Sequence, residues 1–394
     1  RRRLPADPVL AALPVEVLTF THRVRFSVGR GGLRVGLGPP LRDEEYGPYA
    51  TARLRSAYRS MTAPPTDAVL FHPEAAGGGS EQRALLRTLR RRRLDLVCYW
   101  GREDLAQTVP EGATPLLVGS AAWYRALASV RYLCSDHDLG FPLHKRAHQR
   151  FLRTGTDPQG EPGPRHAART TTEEGLEGLW DAVVVRSDLA AEQWRRPGGA
   201  LPVLVAGSLS GDTVLDPEGV AVRDRVRRRL RVESEHTVVM VDLRDRPAAE
   251  ASAAAVDLAR LSRTAGEQVV VWTRSRLRRS ARGQGGVVDV SEWSDPAELI
   301  LAADVALFGD SPLAFDWGLT GKPALALDCP AARLAPADRT LPGLRLATVA
   351  EVAAAVPRLV EEGTDPTGWS AFNGSHNAYL DGRAGERVVD WFFA

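Results

Sequence analysis

The sequence predicts an α/β protein: two Rossmann-like domains facing a cleft, with a β-hairpin element ahead of them. Three observations carry this prediction. Short apolar runs alternate with amphipathic stretches of helical length through most of the chain, a rhythm that argues for parallel sheets covered on both faces. The rhythm breaks near residues 195–215, leaving a block on either side. The stretch Ala303–Asp328 spells out the repeating unit most clearly, as strand, tight turn, short helix and strand. The expected division is a β segment over 1–45, a first Rossmann-like domain over 46–200 and a second over 201–394 with a closing helix.

In chain order, Val15–Gly38 alternates around a Gly-Arg-Gly-Gly turn and predicts a hairpin. DAVLF from Asp67 is a strand, Gly77–Ser80 a glycine-rich loop and Glu81–Arg93 an arginine-rich amphipathic helix. LDLVCYW and ATPLLVG are strands, SAAWYRALASV a helix and RYLCSD a strand. Phe141–Arg169, rich in Pro, Gly, His and Arg, predicts a long polar loop at the mouth of the cleft. DAVVVRS, LAAEQWR and PVLVAGS continue as strand, helix, strand. An arginine-studded helix over Val220–Val232 leads to the strand TVVMVDLRD, and an alanine-rich helix over Ala248–Thr264 leads to QVVVWT. VVDVS, a short helix at Pro296–Ala302, the Ala303–Asp328 unit, LRLATV, a helix over Val349–Glu362 and a terminal helix near Gly385–Phe393 complete the chain.

Ala303–Asp328 is built to start a helix after a strand. Asp310 or Ser311 can cap it, Pro312 suits the first helical position, Gly321 suits the residue beyond its end, and Pro323 blocks continuation. Free backbone N–H groups and a positive dipole end at such a turn favour phosphate, though an ordinary α/β connection has the same outline. Ligands of open parallel sheets lie beyond the carboxyl ends of the strands. Four polar strand ends are therefore candidates: Gly207–Asp212, Asp242–Arg246, Thr273–Arg276 and Gly309–Ser311.

Composition excludes several classes. The 394 residues carry 51 basic and 49 acidic side chains, so no overall field favours nucleic acid. Lys145 and Lys322 are the only lysines in an arginine-dominated background, which makes Lys322 beside the motif helix conspicuous. The three cysteines, Cys98, Cys134 and Cys329, lack metal-ligand spacing, and a reducing compartment is the default expectation. No metal or cofactor is expected. No apolar run approaches the ~20 residues of a membrane span. The chain opens on arginine and is expected to be a segment of a longer polypeptide.

The order of these pieces resembles the CDP-glycerol glycerophosphotransferase family, GT-B-fold enzymes that polymerise teichoic-acid-like chains. Asp310, Ser311, Phe315, Asp316, Lys322 and Pro323 match the family's D-Y-S-S-x-x-F-D-x-x-x-x-x-K-P string, with the turn one residue shorter. ASVRYLCSDHDLGFPLHKRAHQRFLRTGT is similar to the segment leading to a Thr-Trp-His-Gly-Thr-Pro string. AGSLSGDTVL stands for Gly-x-Pro-Arg-Asn-Asp-x-Leu, and VMVDLRD for a strand ending Pro-Thr-Trp-Arg-Asp. LGPPLRDEEYGPYATARLR and LDGRAGERVVDWF resemble its opening segment and closing helix. The likeness spans nearly the whole chain in order.

The resemblance implies a CDP-glycerol or related CDP-polyol donor held by the second domain. The acceptor it implies is a polyol-phosphate or glycan, lipid-linked, met by the first domain at the cytoplasmic membrane face. It implies donor-side residues at Ser311, Asp310, Arg244, Arg274, Arg276, Asp212 and Asp316, and an acceptor-side loop at Thr154, Gly155 and Thr156. The family's catalytic histidine is replaced here by Thr154-Gly155-Thr156-Asp157-Pro158, and its second motif histidine falls near Ser275. Pro-Arg-Asn becomes Leu209-Ser210-Gly211, leaving Asp212. His137, His148 and Asp157 are candidate substitutes for the base, with His144 and His166 in the same segment. Arg90–Arg93 and Arg227–Arg231 are expected to be solvated helix faces, with contact to anionic polymer or lipid headgroups as the functional alternative. Three functions follow: glycerophosphotransfer, a degenerate domain that binds polymer or nucleotide or scaffolds a neighbouring module, and nucleotide-sugar glycosyl transfer.

Overall fold

The computed structural model describes residues 13–19, 22–29, 32–38, 40–73, 79–105, 107–137, 139, 141, 143–154, 179–194, 201–242, 261–262, 268–274, 287–308, 311–327, 344–346, 349–362 and 366–394. The chain divides into two compact units. Unit 1 holds Arg1–Ala75 and Leu94–Phe151, and unit 2 holds Ala76–Arg93 and Leu152–Ala394. The sequence reading sets its boundaries after residues 45 and 200.

In unit 1, β1 (Val15–Leu18), β2 (Arg23–Gly29) and β3 (Gly32–Gly38) form an antiparallel sheet, with Phe26 opposite Val35 and Gly29 opposite Gly32. Arg23 is buried and anchors this sheet, donating to the Leu41 carbonyl at 2.8 Å and to Asp43 at 2.7 Å. A helix over Pro48–Ser60 follows, with proline in its first turn. The parallel strands β4 (Thr66–His72), β5 (Val97–Arg102), β6 (Thr114–Leu117) and β7 (Val130–Ser135) lie in the order β7-β4-β5-β6. β4 is central, and Ala68–Phe71 are all fully buried, as a strand covered on both faces requires. The helix Ala121–Ser129 is capped by Ser120, whose Oγ accepts from the Trp123 N–H at 3.1 Å.

Unit 2 contains the helix Ser80–Arg91 and, from Leu152 on, the end of β8 (Arg150–Thr154), followed in space by the parallel strands β9 (Ala182–Val185) and β10 (Val203–Val205). β8 corrects the reading of 141–169 as loop throughout. Its five residues, RFLRT, offer only two apolar side chains, too few to stand out within a polar stretch. Phe151 and Leu152 are nonetheless fully buried.

The larger sheet of unit 2 comprises β11 (Thr237–Asp242), β12 (Val269–Arg274), β13 (Val287–Asp289), β14 (Val305–Phe308), β15 (Ala324–Leu327) and β16 (Leu344–Leu346). All pairings are parallel and the order is β13-β12-β11-β14-β15-β16. This is the doubly wound order 3-2-1-4-5-6, whose direction reverses between β11 and β14. Alternate β11 residues serve opposite cores. Val238 and Met240 pack with Trp272, Trp317 and Trp369, whereas Val239 and Val241 pack with Leu307, Val352 and Val356. The expected helix over Ala248–Thr264 lies almost wholly outside the described residues.

The helix Pro366–His376 is not legible in the sequence, because PTGWSAFNGSH has low helical propensity and little amphipathic pattern. Tertiary contacts hold it. Trp369 and Phe372 are buried, and Asn373 donates to the Gly318 carbonyl at 2.9 Å. Gly318 is required there, since a Cβ would lie 2.9 Å from Asn373 Oδ1 and 3.1 Å from the Trp369 ring. Arg227 departs from the solvated face expected of its run. It is buried, 3.0 Å from Asp304, and donates to the Ala302, Glu233 and His236 carbonyls. Arg91 and Arg92 stay exposed and pair with Glu386 and Asp390.

Candidate functional site

The sheet reversal between β11 and β14 places Asp242, the last residue of β11, opposite Phe308, with Ser311 three residues further on. On the other side, β12 ends at Arg274 directly opposite Asp242. The three side chains converge. Arg274 Nη1 donates to Asp242 Oδ2 at 2.8 Å, and Ser311 Oγ donates to the same oxygen at 2.8 Å. The Arg274 and Asp242 side chains are each only 3% exposed. A buried pair of this kind is held by mutual attraction and charge-assisted hydrogen bonds. Ser311 Oγ also accepts from the Leu313 N–H at 3.2 Å, opening the helix Leu313–Gly318. Two of the sequence candidates, Arg274 and Ser311, thus meet on a third strand-end residue, Asp242. The signal for Asp242 is a carboxylate closing an otherwise apolar strand, TVVMVD.

A second buried carboxylate lies one turn into that helix. Asp316 accepts from Ser208 at 2.7 Å, from Ser210 at 2.5 Å and from Arg186 at 3.2 Å. Arg186 also stacks over the Phe315 ring at 5.0 Å. Asp316 therefore ties the loop after β10 and the end of β9 to the motif helix. Ser208 and Ser210 lie in the Gly207–Asp212 strand end that the sequence offers as a candidate, whereas Arg186 escapes sequence reading because it is an ordinary loop residue until the fold brings it to Asp316.

Lys322 is engaged in structure. Its ammonium donates to the carbonyls of Ile300, Leu301 and Ala303 at 3.0, 2.8 and 2.7 Å, closing the helix Pro296–Ala302. Burial lowers its pKa to about 8. Gly321 has φ +65°, as its place beyond the helix end requires.

Asp212 sits at the start of a short helix and accepts from the backbone N–H groups of Ala384 and Gly385 at 2.9 and 2.7 Å. It caps the closing helix Ala384–Val388. Burial raises its pKa, opposed by those two hydrogen bonds. Asp212→Ala leaves both N–H groups without an acceptor at a half-buried helix end. The expected loss is ~1–3 kcal/mol of stability, read as a lowered urea midpoint. Thr154, at the end of β8, is fully buried and its Oγ1 has no hydrogen-bond partner. Asp310, Arg244, Arg276, Gly155, Thr156 and Asp157 lie outside the described residues.

In unit 1 the carboxyl ends of β4 and β7 bring His72 opposite Ser135, with Asp136 and His137 just beyond. Ser135 Oγ stands 3.0 Å from the His72 carbonyl and 2.7 Å from the His137 carbonyl. His137 Nδ1 is 2.8 Å from Asp136 Oδ1, and its ring stacks on His72 with centroids 4.9 Å apart. His72 is buried against Trp123, and burial together with the neighbouring His137 lowers its pKa to about 3. Gly101 makes room for it: a Cβ there would lie 2.9 Å from His72 Nδ1. His148, another described histidine candidate, is half-buried, with Nε2 buried and lacking a hydrogen-bond partner. Cys98 and Cys134 are buried thiols, and burial raises that of Cys134. Among the described residues no group of three or more His, Cys, Asp or Glu could hold a metal ion. None of the described helices is long and apolar enough to cross a membrane.

Comparison with known proteins bears on this geometry. A family model described as CDP-glycerol:poly(glycerophosphate) glycerophosphotransferase matches residues 58–394. Among solved structures, the wall teichoic acid polymerase TagF aligns with a TM-score of 0.69 at 17% identity, covering 86% of this chain and 92% of that one. A variant of the same polymerase soaked with CDPG aligns at 0.70, also with 17% identity and the same coverage. The UDP-GlcNAc 2-epimerase from Neisseria meningitidis bound to UDP-GlcNAc aligns at 0.53 with 10% identity, covering 83% of this chain and 99% of that one. These likenesses show the fold, which is of the GT-B type. No curated protein matches by sequence.

Proposed function

The chain belongs to the CDP-glycerol:poly(glycerophosphate) glycerophosphotransferase family, and on that premise we propose that it transfers glycerol phosphate, or a related polyol phosphate, from a CDP donor. The acceptor is a hydroxyl of a growing teichoic-acid-like or cell-surface polymer. A lipid-linked acceptor would bring the protein to the inner face of the cell membrane as a peripheral partner.

The observation that carries this reading is the strand-end cluster Asp242–Arg274–Ser311 at the reversal point of the larger sheet. Nucleotide ligands of doubly wound sheets bind at that point. The chemistry needs fixed cations and donors for the phosphoryl oxygens, so that charge is stabilised without solvent reorganisation. Arg274 and Ser311 supply one of each, and Arg274 Nε is buried without a hydrogen-bond partner. Asp242 holds both donors in place, accepting a hydrogen bond from each.

One observation favours a second reading, in which the domain binds nucleotide or polymer without turnover. Ser311 and Arg274 both spend hydrogen bonds on Asp242, a carboxylate that opposes a second anion at the same place. Calorimetric titration separates the possibilities. CDP-glycerol is expected to bind, CDP-ribitol to compare with it, and a UDP-sugar to bind weakly. Preferential UDP-sugar binding would favour nucleotide-sugar transfer. Binding of no nucleotide would sink every enzymatic reading. CMP release with a poly(glycerol phosphate) acceptor then tests turnover, and a rate unchanged by Ser311→Ala would favour the non-catalytic reading.

A further inference from the structure

The three-stranded sheet of unit 1 is inverted. Along a strand, alternate residues share a face, and residues directly opposite on an antiparallel neighbour share it too. Val24, Phe26 and Val28 of β2 stand opposite Leu37, Val35 and Leu33 of β3. On the other side, β1 sets Val15 opposite Phe26 and Val17 opposite Val24. One face is therefore hydrocarbon at every position. The other carries Arg23, Arg25 and Arg34 together with Glu16.

An antiparallel sheet with one apolar face ordinarily turns it to the core and leaves the polar face in water. Here the polar face is the one held by the rest of unit 1. Arg23 is buried there, donates to the Leu41 carbonyl and to Asp43, and stacks over the Tyr46 ring at 4.2 Å. A Cβ on Gly38, opposite Arg23, would lie 3.7 Å from the same ring. The apolar face points away from these contacts. Val15, Val17, Val28, Leu33, Val35 and Leu37 are between 37 and 61% exposed. Val24 and Phe26, between them, are half-buried.

Size and charge say what fits this face. An extended chain exposes about 1.45 Å² per dalton, which puts roughly 500 Å² on those six residues at their observed exposures. The largest apolar patch on an ordinary monomer spans ~300–600 Å², and patches at that upper end are commonly interaction sites. Covered by the same face of a second copy, the patch would bury roughly 1,000 Å² in all, the size at which specific interfaces begin. Two such faces suit each other. Both consist of Val, Leu and Phe side chains that can interdigitate as in packed sheets, and neither brings a polar group that needs a partner. The arginines favour a protein over a lipid surface. Arg25 and Arg34 lie on the opposite face, so they would add no attraction to anionic headgroups beneath the apolar one. In a pair of stacked sheets the same placement keeps like charges apart.

We propose that this face is a dimer interface, in which two copies of the chain stack their three-stranded sheets into a two-layer sandwich. The contact is isologous, so a single substitution alters both halves of it. It is independent of the transfer reading.

Sedimentation velocity of the full chain, over a dilution series from millimolar to sub-micromolar concentration, tests the assignment. A monomer–dimer equilibrium is expected. Val35→Lys sets a cation in the middle of β3 on the apolar face of both copies, and is expected to raise the dissociation constant by at least ~10²-fold. Arg34→Ser changes the adjacent residue on the opposite face and is expected to leave the equilibrium unchanged. Should Val35→Lys fail to fold, the double variant Leu33→Thr, Leu37→Thr keeps strand propensity while removing hydrocarbon, and is expected to weaken the dimer likewise. Flotation with phosphatidylcholine–phosphatidylglycerol vesicles runs alongside. A chain that stays monomeric throughout the series, or a dimer that the apolar-face variants leave intact, overturns the assignment. So does a monomeric chain whose flotation Val35→Lys abolishes, which would make the face a lipid contact.

Discussion

Arg274→Met is expected to destabilise unit 2 by about 3–5 kcal/mol, because it strips one partner from a buried ion pair. The side chains of Arg274 and Asp242 are each 3% exposed, so water cannot take over the lost hydrogen bond. Ser311 would remain on Asp242 Oδ2, but a neutral hydroxyl supplies far less than a guanidinium. The double variant Asp242→Leu, Arg274→Met removes both charges and is expected to recover most of the loss, since apolar replacements of buried pairs are often neutral or better. Hydrogen exchange on peptides covering 237–242 and 269–274 reads the effect locally, avoiding the assumption that a two-unit chain unfolds in one step. Equal losses in the single and double variants would show that Asp242 is not the source of the cost. Functionally the two should part company: stability returns in the double variant, whereas donor binding does not, because Arg274 is the cation proposed to face the diphosphate.

Unit 1 should lose stability as the pH falls from about 6.5 towards 3, and His72→Phe should flatten that window. The sign follows from linkage. His72 has a pKa of about 3 in the folded chain against an ordinary 6.5, chiefly because it is buried. Above pH 6.5 it is neutral in both states and contributes no slope. Between the two values the unfolded chain takes up a proton that the folded chain refuses, so acid favours unfolding. A shift of this size corresponds to on the order of 5 kcal/mol when fully developed below pH 3. Carboxylates add their own acid slope, so the informative quantity is the difference between wild type and His72→Phe. That difference should grow steadily on acidification, and a difference constant from pH 7 to 4 would refute the linkage. The aromatic replacement preserves the stacking on Trp123 and His137.

Much of this fold is legible from residues in order. Apolar runs such as AVLF in β4, VVMV in β11 and VALF in β14 were long and sharply bounded, and their polar terminators marked the strand ends that gather the cluster. Gly321 and Pro323 announced the end of the motif helix, since each imposes a backbone geometry whatever surrounds it. The failures have a common cause. β8 and the helix Pro366–His376 owe their state to partners distant in sequence, and their own patterns are too weak to declare it. Lys322 looked functional because it is rare, whereas its three carbonyl partners come from a helix end about twenty residues earlier.

The sequence by itself determined the α/β class, the parallel character of the strands and the order of motifs that carries the family resemblance, because all of these depend on local periodicity and turn chemistry. Only the tertiary structure decided which polar strand ends meet. It brought Ser311 and Arg274 onto Asp242, closed Asp316 with Ser208, Ser210 and Arg186, and stacked His137 on His72 beside Asp136. Those pairings are set by sheet order and burial. A carboxylate becomes an anchor or a cap according to the donors the fold delivers to it, and that delivery has no local signature in the chain.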